Sequence, residues 1–156
     1  MKANMLEYLE ETANRVPERI AFCDDRESLS FAGLMENAKK IGSCLAKHTA
    51  PRDPVALLID ARSLSNIPAM FGVLYAGCAY APLDIAMPPE RLRLLLELLQ
   101  PTALLVDERG KKAYESCGLD GDCLITCSDA LSCDINEEKL GIIRNQASVY
   151  DPMSIL

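Results

Sequence analysis

Gly72-Val73-Leu74-Tyr75-Ala76-Gly77-Cys78-Ala79-Tyr80-Ala81-Pro82-Leu83-Asp84 is the stretch whose reading decides the fold. It reads as a helix end, a glycine turn and a strand. Gly77 suits the left-handed position that closes a helix. The small Cys78 and Ala79 permit a tight passage into the strand, and Pro82 ends that strand or places it at a sheet edge. Upstream, Ile67, Met70, Phe71 and Leu74 share one helical face. Pro68 fits that helix if Ser65 is its N-cap, because first-turn N–H groups have no intrahelical partner.

Working outward, Val55-Ala56-Leu57-Leu58-Ile59 is a continuous apolar run, the mark of a strand covered on both faces in a parallel sheet. On the other side, Pro88-Pro89 opens a helix with Leu92, Leu95, Leu96 and Leu99 as its stripe, and Pro101 stops it. Ala103–Val106 reads as a strand, Glu108–Cys117 as a polar helix, and Cys123–Thr126 as a further strand. Near the start, Met5–Arg15 predicts a short amphipathic helix through Leu6, Leu9 and Ala13. Ile20–Cys23 predicts a short strand and Asp24–Glu27 a polar turn. Leu29-Ser30-Phe31 then enters a helix, with Ser30 as N-cap and Leu34, Ala38, Ile41 and Leu45 on its buried face. Ser128 to Asn145 is weakly patterned and expected to be loop-rich, and Ser148 to Leu156 reads as the start of another strand. Strands alternating with helices predict an α/β domain with a mostly parallel sheet and helices on both faces.

The 156 residues fit one domain and suffice for a sizeable core. A net charge of −7 repels phosphate backbones, which argues against nucleic-acid or anionic-membrane binding by bulk charge. With no tryptophan and 5% aromatics, stacking platforms are poorly supplied. No apolar run reaches the ~18 residues of a membrane span. The opening Met1-Lys2-Ala3-Asn4-Met5-Leu6-Glu7 is too acidic and polar for a signal peptide. The expected setting is therefore cytoplasmic and reducing, with Cys23, Cys44, Cys78, Cys117, Cys123, Cys127 and Cys133 as free thiols.

Motifs for chemistry are sparse. The eight glycines form neither a dinucleotide fingerprint nor a P-loop. His48, the single histidine, falls at a helix end, where a cation suits the dipole and a structural role suffices. Cys117, Cys123, Cys127 and Cys133 lack the paired spacing of a zinc ribbon. If Cys123 and Cys127 flank one strand they stand ~13 Å apart, too far to share an ion or a disulfide. Asp24, Asp25 and Asp60 follow strands and could converge on one sheet edge as an acidic pocket. That arrangement resembles a phospho-accepting receiver domain, a non-enzymatic signalling or binding module. A receiver also wants a helix directly after the paired aspartates and a lysine after its last strand, and neither is present here. No catalytic, cofactor-binding or metal-ligating residue is assigned within the chain.

The Gly72–Asp84 stretch, followed by Pro88-Pro89-Glu90-Arg91-Leu92 and by Gln100-Pro101, closely resembles a core motif of the adenylate-forming ligases. That superfamily holds the amino-acid adenylation domains of peptide synthetases, acyl-CoA synthetases and luciferases. Leu29-Ser30-Phe31 with Leu34 and Ala38 resembles the family's earlier motif, and Val55–Leu58 the strand between them. Three positions depart from the pattern: Gly33 replaces the early motif's glutamate, Ile85 a proline, and Pro68 an apolar residue. The resemblance implies that residues 1–156 are a partial N-terminal subdomain, stopping before the family's phosphate-binding loop. The intact enzyme would use ATP and Mg to activate a carboxylate, an amino acid in this branch, as acyl-AMP. It would then pass the acyl group to a thiol, on a carrier-protein phosphopantetheine or on CoA. The isolated chain is expected to be inactive and to self-associate as a homo-oligomer.

Overall fold

The computed structural model describes residues 5–121 and 123–156. The opening residues 1–4, weighed above against a signal peptide, lie outside them. Chain order runs α1 (Met5–Arg15), β1 (Ile20–Cys23), β2 (Ser28–Ser30), α2 (Phe31–Leu45), β3 (Pro54–Leu58), α3 (Asn66–Tyr75) and β4 (Ala79–Pro82). It continues α4 (Pro89–Leu99), β5 (Ala103–Val106), α5 (Glu108–Ser116), β6 (Leu124–Thr126), α6 (Cys127–Leu131) and α7 (Glu137–Gln146).

Four strands form one sheet in the order β4-β3-β5-β6, every pair parallel. The register sets Val55 between Tyr80 and Ala103, and Leu57 between Pro82 and Leu105. Because β3 is central, its apolar run is buried on both faces. Val55, Leu57 and Ile59 face one core with Ile41, Leu45, Ala69 and Val73 of α2 and α3. Ala56 and Leu58 face the other with Leu92 and Leu96 of α4 and Tyr114 of α5. A third apolar cluster, including Leu6, Leu34, Tyr75 and Leu140, binds α1 and α7 to the outer side of α2 and α3. The α/β architecture with helices on both sheet faces is as the sequence predicts.

The decisive stretch behaves as read. Gly77 takes φ 74°. The Gly77 N–H donates to Leu74 O and the Cys78 N–H to Val73 O, closing α3 with paired left-handed-turn bonds. Pro68 sits in the first turn of α3 and costs no bond. Beside it, Gly42 and Gly72 let α2 and α3 touch. A Cβ on Gly72 would come 2.5 Å from Ile41 Cγ2, and one on Gly42 2.6 Å from Tyr75 Cβ. Ser30 caps α2, accepting the Gly33 N–H at 3.1 Å. The glycine that replaces the family's glutamate thus forfeits only the reciprocal half of a capping box. Ser148 to Leu156 begins a fifth strand position. The Tyr80 N–H donates to Met153 O and the Ile155 N–H to Tyr80 O, a single parallel bridge at the β4 edge.

Two expectations need correction. Ser128 to Asn145 is not loop-rich but carries α6 and α7, each started by a side-chain cap, Thr126 and Asn136 respectively. Ile20–Cys23, the strand preceding Asp24 and Asp25, is not part of the parallel sheet. It pairs antiparallel with β2 in a separate two-stranded hairpin, because the four-residue turn between them is too short for a crossover.

Candidate functional site

The strand order makes one site stand out. From β3 the chain moves to β4 on one side and then to β5 on the other, so the connections after β3 and β5 diverge. Ligands of open α/β sheets bind in the crevice at such a switch point, outside the carboxyl ends of the strands. A polar cavity of about 630 Å³ lies there, framed by residues after β3 (Asp60, Arg62, Ser63), after β5 (Asp107, Arg109) and in the hairpin turn (Asp24–Glu27).

The structure therefore does bring Asp24, Asp25 and Asp60 to one cavity, but not as a free acidic pocket. Asp24 Oδ1 accepts the Arg26 and Glu27 N–H groups, both at 2.8 Å. Those backbone bonds hold its carboxyl below the ordinary aspartate range. Asp60 accepts the Arg62 N–H at 3.1 Å and pairs with the Arg109 guanidinium, and both contacts lower its pKa, the backbone bond foremost. Asp107 caps α5 through the Gly110 N–H at 2.7 Å and takes the Asp60 N–H at 2.9 Å. It thus ties the β3 and β5 loops together. These carboxylates shape the rim. Among the described residues no group of three His, Cys, Asp or Glu side chains is placed to hold a metal ion.

Arg26, Arg62, Ser63, Asp107 and Arg109 were not singled out by sequence reasoning, and Ser65 only as a helix cap. Their signal was available in position alone, since each of Arg62, Asp107 and Arg109 follows an apolar strand run by a few residues. What the crevice offers is a polar, mixed-charge rim with hydroxyl donors and no nucleophile–base pair.

Cys117, Cys123, Cys127 and Cys133 divide between the two sheet faces. Cys127 packs with the α2/α3 side, whereas Cys117 is buried on the α4/α5 side with Cys123 against it. Cys123 and Cys127 flank β6 as expected, and this opposition separates them. His48 lies just beyond α2, exposed, on a second cavity of about 620 Å³ with Cys44, Cys123 and Cys133.

Comparison with known proteins assigns the family. The family model described as "AMP-binding enzyme" matches residues 9–149. Gramicidin S synthase 2 of Brevibacillus brevis is 36% identical over 119 residues, covering 76% of this chain and 3% of that protein. Malpinin synthetase of Mortierella alpina is 37% identical over 107 residues, covering 69% of this chain and 1% of that protein. The chain thus spans only a few per cent of the length of these curated relatives. Among solved structures, the nonribosomal peptide synthetase FmoA3 superposes with a TM-score of 0.73 at 26% identity, over 83% of this chain and 14% of that one. O-succinylbenzoate coenzyme A synthetase from Bacillus subtilis, solved with ATP and magnesium, shares the fold with a TM-score of 0.69 at 23% identity, over 83% and 34%. With its parallel sheet, its switch-point crevice and a family match over nearly all of its length, the chain belongs to the AMP-binding enzyme family.

Proposed function

We propose that residues 1–156 are the opening part of the large N-terminal domain of an ATP-dependent ligase. The intact enzyme activates a carboxylate, an amino acid, as acyl-AMP and transfers it to a thiol. The observation that carries this reading is the family match over residues 9–149 together with peptide-synthetase relatives at 36–37% identity. The acceptor is a carrier-protein phosphopantetheine or CoA, and the setting is the reducing cytoplasm. All seven cysteines stand as free thiols in the structure. Among the described residues no helix is long and apolar enough to cross a membrane.

ATP and Mg belong to the intact enzyme in this reading. In-line attack on a phosphoryl group needs backbone donors, a cation and a metal around the phosphates. The described residues do not fit a magnesium site, since Asp60 and Asp107 are already engaged. None of the described residues is given a catalytic role, and the chain alone is proposed to be inactive and to self-associate.

Amino-acid-dependent exchange of pyrophosphate into ATP tests this. Purified residues 1–156 should give no exchange above background. The product of the reading frame extended past codon 156 should give exchange with one or a few amino acids. Exchange by residues 1–156 alone would overturn the assignment of catalysis elsewhere. An extended frame without a Ser/Thr/Gly-rich phosphate loop would overturn the ligase reading itself.

A further inference from the structure

The second cavity holds chemistry that the ligase reading leaves unused. Cys44 closes the last turn of α2, buried in the core beside β3. Cys133 sits in the bend after α6, half-buried and packed against that same core. Asn136, three residues beyond Cys133, donates its N–H to Ser43 Oγ at 2.9 Å, so the segment after α6 lies along the Cys44 turn of α2. Lys47, one turn beyond Cys44, sets its Nζ 3.9 Å from Cys133 Sγ. Both thiols line the cavity of about 620 Å³, which opens to solvent. Two thiols on one cavity and one core cluster, one half-buried and one recessed, with a cation beside the half-buried one, form the arrangement of an attacking and a resolving thiol.

We propose that Cys44 and Cys133 form a reversible intramolecular disulfide when the chain meets hydrogen peroxide, clamping α2 to the segment between α6 and α7. Cys133 Sγ, as thiolate, attacks one peroxide oxygen. The O–O bond breaks, hydroxide leaves and is protonated to water, and Cys133 becomes a sulfenic acid. Cys44 Sγ then attacks Cys133 Sγ. The S–O bond breaks, and the departing hydroxide takes the Cys44 proton as a second water. The two thiols lose two electrons and two protons, and one peroxide becomes two waters. The order follows from the site, because Cys44 is recessed in the core, where burial pushes its thiol up to about 11, while Cys133 stands at the cavity with Lys47 beside it. Cys133 lies in a bend outside helix and strand, so its side chain can turn toward Cys44 without breaking a helical hydrogen bond. Cys123 lines the same cavity, but it packs against the opposite face of the sheet. The inference stands whether or not the ligase reading does.

Graded peroxide treatment of the full chain at low protein concentration tests it, with non-reducing peptide mapping by mass spectrometry. The expected product is a Cys44–Cys133 linked peptide, in a monomer lighter by two hydrogens, with a raised thermal midpoint and full reversal by dithiothreitol. C44A should instead trap Cys133 as a sulfenic acid that dimedone labels. If C44A does not fold, C133A carries the control and should leave Cys44 reduced at the same peroxide dose. Cys133 driven to sulfinic acid without a link in the wild-type chain would overturn the proposal. So would predominant links to Cys123, or disulfides only between chains.

Discussion

Cys127 shows how one buried side chain couples the core to pH. It follows β6 as the first residue of α6 and is 8% exposed in the core cluster that holds Leu57, Leu105 and Ala130. Burial, with a smaller contribution from the Asp107 carboxylate, pushes its thiol up to about 12 from an ordinary 9.0. The folded state therefore prefers the protonated thiol, and the stability that goes with this preference is fully present below pH 9. It is lost as pH rises from 9 toward 12, at up to about 1.4 kcal/mol per pH unit. Cys127→Ala removes the titrating group at a modest constant cost in packing. Thermal midpoints followed across that alkaline range should fall more steeply for the wild-type chain than for C127A. Parallel curves would show that Cys127 ionises in the fold without penalty. Asp107 carries a separate load at the carboxyl end of the sheet, since one oxygen serves the Asp60 amide after β3 and the other the Gly110 amide in the first turn of α5.

At the level of elements, α7 is the instructive case. Asn136 accepts the Lys139 N–H at 2.9 Å, Glu137 and Glu138 occupy the first turn, and Arg144 lies in the last. Each of these suits a helix end. Only Leu140 and Ile143 are buried, and Ile142 faces solvent, so the hydrophobic stripe is too narrow to announce the helix by periodicity. The cap was the available signal. Asn136→Ala should lower stability by about 1 kcal/mol, read from urea unfolding. It should also loosen the Asn136 N–H bond to Ser43 Oγ, which ties the helix start to α2. No change in midpoint would mean that α7 is held by its packing alone. By contrast, β3, α3 and α4 were legible because their residues state period, burial and boundary together. Val55–Ile59 has no polar break, Ser65 and Gly77 bracket α3, and proline stands at both ends of α4. The candidate site was only partly legible. Asp24, Asp25 and Asp60 could be named from their positions after strands. Arg62 and Arg109 also follow strand runs, but that position alone did not mark them, because what gathers them is the strand order β4-β3-β5, a tertiary fact that no local pattern carries.

At the scale of the molecule, the sheet and its two helical layers are closed, and the surface outside them is not. On α4, Leu94 and Leu98 are 63% and 81% exposed, on the side opposite the buried Leu92 and Leu96. Along the last residues, Tyr150 is 92% exposed and Met153, Ile155 and Leu156 also face solvent. Among the described residues the same segment hydrogen-bonds to the sheet through the Tyr80–Ser154 bridge and no strand pairs with its far side, which lies beside an apolar patch. An open edge recruits further chains, and a two-fold dimer is the commonest closed solution. The net charge of −7 opposes that approach at low salt. At ~0.15 M ionic strength charges beyond ~8 Å are screened, and apolar burial at about 25 cal/mol per Å² prevails. The chain should therefore show a mass that rises with concentration in light scattering, and rises further with salt. Met153→Lys together with Ile155→Lys should restore the monomer, since charge on an edge strand discourages pairing. A monomeric mass for the unmutated chain at high concentration and ~0.15 M salt would show that residues 1–156 need no cover. Association that persists unchanged in the double variant would instead move the contact to the Leu94–Leu98 face of α4.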